Sequence, residues 1–292
     1  MNLLLQLAGL LPQPWIKFVS GAQWRHPRLK RGFAWCAELF RNQDGTILHG
    51  VGKGLRFNPG RANAGFLFGT SELAVQYALS VLAKPGMVMY DIGANVGFLT
   101  VITARLVGQQ GRVIAFEPLS TNFVQIQHNA VLNGFTQVTA RCEALSSTDG
   151  KATLQVSADP TWCKLVGVGS TVAQKVGEIE VTVSRLDTVL HEADLPLPDL
   201  IKIDVEGAEV DVLDGAAETL HKSRPILLIE LHGTNQAIAE RLKGLNYSAV
   251  RLGSSASIVD SPWDAYVIAA PSEHPDLVHS ISALTETRLG SR

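Results

Sequence analysis

The chain has only three cysteines, Cys36, Cys142 and Cys163, among 292 residues. They are odd in number, far apart and form no C-x-x-C pair. That argues against a disulfide framework or a structural zinc site, and makes a reducing, cytoplasmic setting the expectation. Charge is also scarce. Charged residues make up 18% of the chain against 46% hydrophobic ones, a balance that suits an α/β protein whose sheet is covered on both faces. Repeats and low-complexity tracts are missing as well. The apolar opening, Met1 to Pro12, lacks a positively charged leading region and is not expected to be a secretory signal. It also falls short of the roughly 20 residues that span a bilayer. An amphipathic helix against the domain or a partner subunit, as in a homo-oligomer, is one reading of it. Peripheral contact with a membrane is the other.

What is present is uneven. Residues 1 to 61 hold nine basic residues, from Lys17 to Arg61, against Glu38 and Asp44, so this part carries +7. With a whole-chain charge of −2, the remainder carries −9. The basic charges are dispersed and the rest of the chain is acidic, which excludes nucleic acid as the expected partner. The length suits one large domain with an N-terminal elaboration. Up to about residue 70 the sequence is irregular, and Asp44-Gly45 predicts the turn of a small hairpin.

From residue 71 the pattern becomes regular. Ser71–Leu82 has helical apolar spacing with a Ser start, and Lys84-Pro85-Gly86 ends it. Strands are predicted at Val88–Ile92, Val113–Glu117, Gln137–Cys142, Leu200–Asp204 and Ile226–Leu231, and helices at Phe98–Val107, Ser120–Asn133, Ala208–Asp214 and Gln236–Leu242. Such alternation predicts βαβ units and a mostly parallel sheet with helices on both faces. Lys151–Val156 and Glu178–Val183 interrupt it as an inserted β-hairpin, and Tyr247–Leu252 with Ala265–Ala269 predicts a closing strand pair. After Pro271 the tail is either disordered or a last helix.

Five sequence pieces fall at predicted strand C-termini, the edge of such a sheet that binds ligands. They are Asp91-x-Gly93-x-Asn95-x-Gly97, Glu117-Pro118, Glu143 to Ser146, Lys202-Ile-Asp204-Val-Glu206-Gly-Ala-Glu209, and Glu230-Leu-His232. An acid 20 residues beyond the glycine turn suits the two hydroxyls of a nucleoside ribose. A dinucleotide site wants glycine where the backbone meets the pyrophosphate, yet Asn95 stands there. S-adenosylmethionine has no phosphate and carries positive charge, which an acid-rich edge favours. The expected cofactor is therefore S-adenosylmethionine, held by Asp91, Gly93, Asn95, Gly97, Glu117, Glu143 and Asp204. A nicotinamide oxidoreductase and a catalytically silent scaffold remain as alternatives.

The runs Asp-Ile-Gly-Ala-Asn-Val-Gly, Phe-Glu-Pro, Arg185-Leu-Asp-Thr188, Lys-Ile-Asp-Val-Glu-Gly-Ala-Glu and Arg224-Pro225 resemble the FkbM-type methyltransferases over roughly residues 70 to 235. The resemblance implies a class I Rossmann-like fold, a seven-stranded sheet with an antiparallel last strand. It also implies methyl transfer to an oxygen on a sugar, glycan or natural-product small molecule. Asp204, Glu206 and His232 are the expected catalytic residues, with His232 or Asp204 as the base and Glu206 orienting one of them. No metal is expected, although Asp204, Glu230 and His232 are possible ligands. The expected organisation is an extension at 1–70, a methyltransferase domain at 71–272 and a tail at 273–292. Acceptor recognition is expected from the basic N-terminal segment and from Trp162 to Ser170, with Trp24, Trp35 and Trp162 as stacking candidates.

Overall fold

The computed structural model describes residues 40–62, 65–158, 162–167, 174–254 and 256–290. The opening helix, Cys36, Trp24, Trp35 and most of the basic segment lie outside them, as does part of the Trp162–Ser170 stretch. The described elements are β1 (Gly45–Thr46), β2 (Arg56–Phe57), α1 (Gly65–Phe68), α2 (Leu73–Leu82), β3 (Val88–Ile92), α3 (Phe98–Val107), β4 (Arg112–Phe116), α4 (Ser120–Leu132), β5 (Val138–Arg141) and β6 (Ala144–Leu145). Then come β7 (Gly150–Ser157), β8 (Lys164–Leu165), β9 (Lys175–Ser184), α5 (Leu186–Glu192), β10 (Leu200–Ile203), α6 (Glu209–Gly215), α7 (Ala217–Ser223), β11 (Ile226–Glu230), α8 (Asn235–Gly244), β12 (Tyr247–Arg251), β13 (Tyr266–Pro271) and α9 (Pro275–Gly290).

Seven strands form the main sheet in the order β12-β13-β11-β10-β3-β4-β5. The pairs from β5 to β11 are parallel, and β13 runs antiparallel to both its neighbours. This is the doubly wound α/β arrangement expected from the alternation. From β3 the chain steps outward to β4 and β5, then returns to β10 and steps the other way. The order therefore reverses between β3 and β10, and the C-terminal ends of these two strands flank the crevice where such sheets bind ligands.

The strands are buried on both faces, so they read as nearly continuous apolar runs. Along β3 and β4, Met89 and Val113 face one core, while Tyr90, Ile92, Ile114 and Phe116 face the other. The first core takes Val75 and Leu79 of α2, Val101 and Ile102 of α3, and Val278 and Ile281 of α9. The second takes Leu186 of α5, Val212 of α6, Leu220 of α7 and Ile238 of α8. The tail is thus helical and seals the sheet. Residues that the sequence assigns to the N-terminal extension, including Phe40, Ile47, Phe57 and Leu67, pack into the first core as well. β1 and β2 pair antiparallel, with a loop at 47–55; the turn is not at Asp44-Gly45, because Gly45 already pairs with Phe57.

The inserted hairpin is β7 with β9, antiparallel and broken by a register shift at Val156/Ser157. β6 and β8 extend it to a four-stranded sheet in the order β6-β9-β7-β8. Its small core of Leu154, Val181 and Val183 packs with Leu119 and Ala144, so the sheet stands beside the C-terminal edge of β4.

The glycine turn after β3 is forced by crowding. Gly93 (φ +74°) and Ala94 both donate to the Phe116 carbonyl at 3.0 Å. A Cβ on Gly93 would sit 1.8 Å from the Asp204 carbonyl oxygen, so only glycine fits where the β3 and β10 loops touch. Gly97 (φ +82°) starts α3 and would bring a Cβ to 3.2 Å from Ile126 of α4. Gly93→Ala is expected to destabilise the chain by roughly 3 kcal/mol or more, from strain plus a backbone clash. Gly97→Ala is expected to cost about 1–2 kcal/mol, mainly the left-handed backbone penalty. Urea unfolding midpoints compared at constant m test both, and equal losses at the two positions would contradict the crowding argument.

Candidate active site

A cleft of about 410 Å³ opens at the C-terminal ends of β3, β4, β10 and β11. Gly93, Asn95, Glu117, Glu143, Asp204, Glu206, Glu230 and His232 all line it. Five separate sequence pieces therefore meet in one place. Two residues of the expected set do not line the cleft. Gly97 is used to start α3. Asp91, fully buried, lies beneath the turn; its Oδ2 accepts from Thr100 Oγ1 at 2.6 Å, and its Oδ1 faces Lys202 Nζ at 3.4 Å.

At one end of the cleft Glu117 is held rigidly. The backbone N–H of Asn95 donates to Oε2 and that of Leu119 to Oε1, both at 2.9 Å. The left-handed backbone of Asn95 (φ +52°), which asparagine tolerates, turns its N–H toward the carboxylate. Burial nonetheless pushes the Glu117 carboxyl up to about 7. Glu143 is fixed by Arg141 and by Ser184 Oγ, the latter at 2.6 Å.

Around Lys202 lies a buried charge network. This lysine is only 3% exposed and stands directly opposite Asp91 in the β10–β3 pairing. Its ammonium donates to the Gly93 carbonyl at 2.8 Å and lies 3.2 Å from Asp204 Oδ2. Burial opposes its charge, but Asp204, Asp91 and Glu72 outweigh burial and keep it firmly protonated. Tyr266 Oη reaches Asp204 Oδ2 at 3.1 Å and Glu72 Oε2 at 3.3 Å. Glu72 is pushed up to about 7, chiefly by burial.

His232 occupies the other end. Its Nδ1 lies 2.9 Å from Glu209 Oε1, which also accepts the Gly207 N–H at 2.7 Å. Thr234 Oγ1 reaches the other oxygen, Oε2, at 2.9 Å. A carboxylate only accepts, so Nδ1 carries a hydrogen and Nε2 faces the cleft. Nε2 lies 3.6 Å from Glu206, 3.8 Å from Glu230 and 3.9 Å from Asp204. Burial works against a charged imidazole, yet Glu209 and these three carboxylates outweigh it and raise His232 to about 9. Glu230 is likewise raised to about 9, first by burial and then by Asp204, while Lys202 and His232 hold Asp204 below its ordinary value. Glu206 is raised by burial.

Glu209, which the sequence marks only as an acid at a helix start, is the side chain bonded to His232; Glu206 faces Nε2 instead. Glu72, Tyr266 and Trp263 also line the cleft and carry no sequence signal, since each comes from a segment with no motif. One ligand atom each of Asp204, Glu230 and His232 lie within 4.8 Å of one another, a spacing that would admit a metal ion. None of the described helices is long and apolar enough to cross a membrane.

A doubly wound sheet with an acid-lined cleft at its switch point defines an α/β protein of the Rossmann-like class, which binds ligands in that crevice. The methyltransferase FkbM domain matches residues 91–251, more than half of the chain, and the chain belongs to that family. It is 33% identical over 141 residues to Methyltransferase 1 of Beauveria bassiana, covering 43% of this chain and 56% of that protein. It is 27% identical over 150 residues to the hexuronic acid methyltransferase AglP of Haloferax volcanii, covering 51% and 58%. With the 31-O-demethyl-FK506 methyltransferase FkbM of Streptomyces tacrolimicus it shares 28% over 196 residues, covering 57% and 75%. The chain thus spans little more than half the length of the first two of these relatives.

Glu72, Glu117, Glu230 and His232 all hold protons more tightly folded than unfolded. The folded state then binds more protons, so stability falls as pH rises. The histidine contribution is intact below its ordinary 6.5 and lost by about 9, and the Glu230 contribution is lost from its ordinary 4.5 up to about 9. The melting temperature of the ligand-free protein is expected to fall steadily from pH 6 to pH 9, with a shallower slope in Glu230→Gln. Scanning calorimetry across that range checks it, and a flat or rising profile would contradict the proton placement.

Proposed function

We propose that this protein transfers a methyl group from S-adenosylmethionine to a hydroxyl oxygen of a small molecule or glycan. The observation that carries the reading is the charge of the cleft. Among the described residues, seven carboxyl side chains line it, against two basic ones, Lys164 and His232. A pocket of that balance favours a cationic ligand and disfavours a pyrophosphate. The family supports methyl transfer, and two of the named relatives act, by their names, on a hexuronic acid and on 31-O-demethyl-FK506.

The donor set fits this cofactor. Glu117 would take the ribose hydroxyls, with Asn95 and Gly93 forming the floor and Glu143 beside them. Asp204 and Glu72 would face the cationic end. When bound, the cofactor supplies a methyl group on a positively charged sulfur, already a good leaving group. The chain's own task is then to orient the acceptor oxygen for in-line attack and to remove its proton. His232 is the base in this reading. Glu209 fixes its ring through Nδ1–H, leaving Nε2 to take the proton as the new C–O bond forms. Isolated, His232 is charged and unable to act. Positive charge placed among Asp204, Glu206 and Glu230 loosens their hold on that proton and frees Nε2.

A second reading rests on the convergence of Asp204, Glu230 and His232. A divalent ion there would polarise the acceptor hydroxyl, with His232 as a ligand instead of the base. Overnight dialysis against EDTA distinguishes the two, since the base mechanism expects undiminished turnover.

Calorimetric titration tests the cofactor. S-adenosylhomocysteine is expected to bind and NAD not to; binding of neither points to a silent scaffold. Glu117→Gln is expected to weaken S-adenosylhomocysteine by about 10–100-fold, the range for losing hydrogen bonds to a charged group. His232→Ala is expected to lower kcat by about 100-fold or more with cofactor affinity retained. Wild-type turnover in both His232→Ala and Asp204→Asn would remove the base assignment. In Glu209→Gln the acidic limb of kcat, which reports the base, should move to lower pH, because the imidazole loses the partner that favours its protonated form.

A further inference from the structure

We propose that Trp263 and Trp162 form the acceptor subsite, with Trp263 as a stacking platform for one face of a pyranose ring and Trp162 as the facing wall. This rests on the methyl-transfer reading and names its acceptor end. Tryptophan is highly buried on average, because its large apolar surface is costly to leave in water. Both tryptophans among the described residues break that rule: Trp162 is 54% exposed and Trp263 is 58% exposed. Both line the same cleft as the carboxylates. They come from independent parts of the fold. Trp162 precedes β8 of the inserted sheet, and Trp263 lies in the connection from β12 to β13. Packing has not drawn either side chain into a core, so their common position at the cleft needs a ligand-side explanation.

Trp263 also stands at the reacting end. Its ring centroid is 5.9 Å from that of His232, with the planes tilted by 56°. The β12–β13 connection is anchored close by, where the Gly233 N–H donates to the Trp263 carbonyl at 2.9 Å. A ring resting on Trp263 would therefore stand beside the His232 imidazole. The surrounding side chains are polar: Asp264, Lys164 and Glu206 all line the cleft. An apolar face ringed by hydrogen-bonding groups matches a pyranose, whose axial C–H bonds form an apolar face and whose equatorial hydroxyls form a polar rim. A phenolic or other flat aromatic acceptor would use the indole faces and leave the polar rim unpaired, which is costly.

The test uses the full chain saturated with S-adenosylhomocysteine, whose binding is first measured by calorimetry. Tryptophan emission is then followed during titration with methyl glycosides of a hexose, a 6-deoxyhexose and a hexuronic acid, and separately with phenol and catechol. The expected result is saturable quenching by at least one methyl glycoside and none by the phenols. Trp263→Ala should weaken that glycoside by about tenfold or more, within the reach of a lost aromatic contact. Trp263→Phe should recover most of the affinity, and Trp162→Ala should show an intermediate loss read by calorimetry. S-adenosylhomocysteine affinity should stay within about twofold of wild type in the two Trp263 variants, since Trp263 stands beside His232. Saturable binding of the phenols alone, no glycoside response, or wild-type glycoside affinity in both alanine variants overturns the proposal. Failure of the wild-type chain to bind S-adenosylhomocysteine would instead sink the methyl-transfer reading, so the two failures are distinct.

Discussion

The buried ammonium of Lys202 is the interaction on which the site depends. It lies between strands β3 and β10, where the sheet order reverses, and faces Asp91, Asp204 and the Gly93 carbonyl together. Without a cation there, Asp91 would be a charge buried in the sheet with a single hydroxyl donor, a situation that costs several kcal/mol. With it, the glycine turn after β3 and the loop after β10 are tied to one point. That close approach is what leaves Gly93 no room for a side chain. Packing and electrostatics thus specify the same few residues.

Lys202 neutralises only part of the charge around it. Glu72, Glu206 and Glu230 remain near Asp204 and are all raised by burial, and His232 is held protonated among them. The ligand-free cleft therefore stores protons that a cationic ligand would release. The physical consequence is a link between occupancy and the state of the histidine. Under the proposed methyl transfer, a single arrangement of acids would attract the cofactor, and the cofactor's charge would in turn free Nε2. The polarity that disfavours a pyrophosphate also sets when the histidine is able to accept a proton.

The small sheet and the β12–β13 connection act on the opposite side. They stand on the rim of a doubly wound core whose central strands β3, β4, β10 and β11 are largely buried. Substitutions at the rim change what enters without disturbing the packing beneath. Two relatives are named for molecules as unlike as a hexuronic acid and 31-O-demethyl-FK506, and one fold can carry such different sites.

Much of this was legible in the linear sequence because it depends on local rules. The spacing of apolar residues marks β3 and α3 to the residue, since a buried parallel strand and an apolar helix have distinct periods. Asp91 to Gly97, Glu117 and the octet from Lys202 to Glu209 mark the cofactor end, because turn geometry and strand ends are local properties. Other features needed the folded chain. Whether Glu206 or Glu209 meets Nδ1 of His232 depends on which way a left-handed residue at 206 turns the helix start, and both are acids at similar spacing. Tyr266 meets Glu72 across 194 residues and Asp204 across 62, and no local pattern encodes such a meeting. Trp263 stands in a loop of ordinary composition and acquires its meaning only from standing 5.9 Å from His232. The sequence by itself determined the fold and the five acid-bearing pieces that meet at the sheet edge. Tertiary structure alone decided which acids stand together and which aromatic rings line the same cleft, because those properties belong to distances between segments and not to the segments themselves.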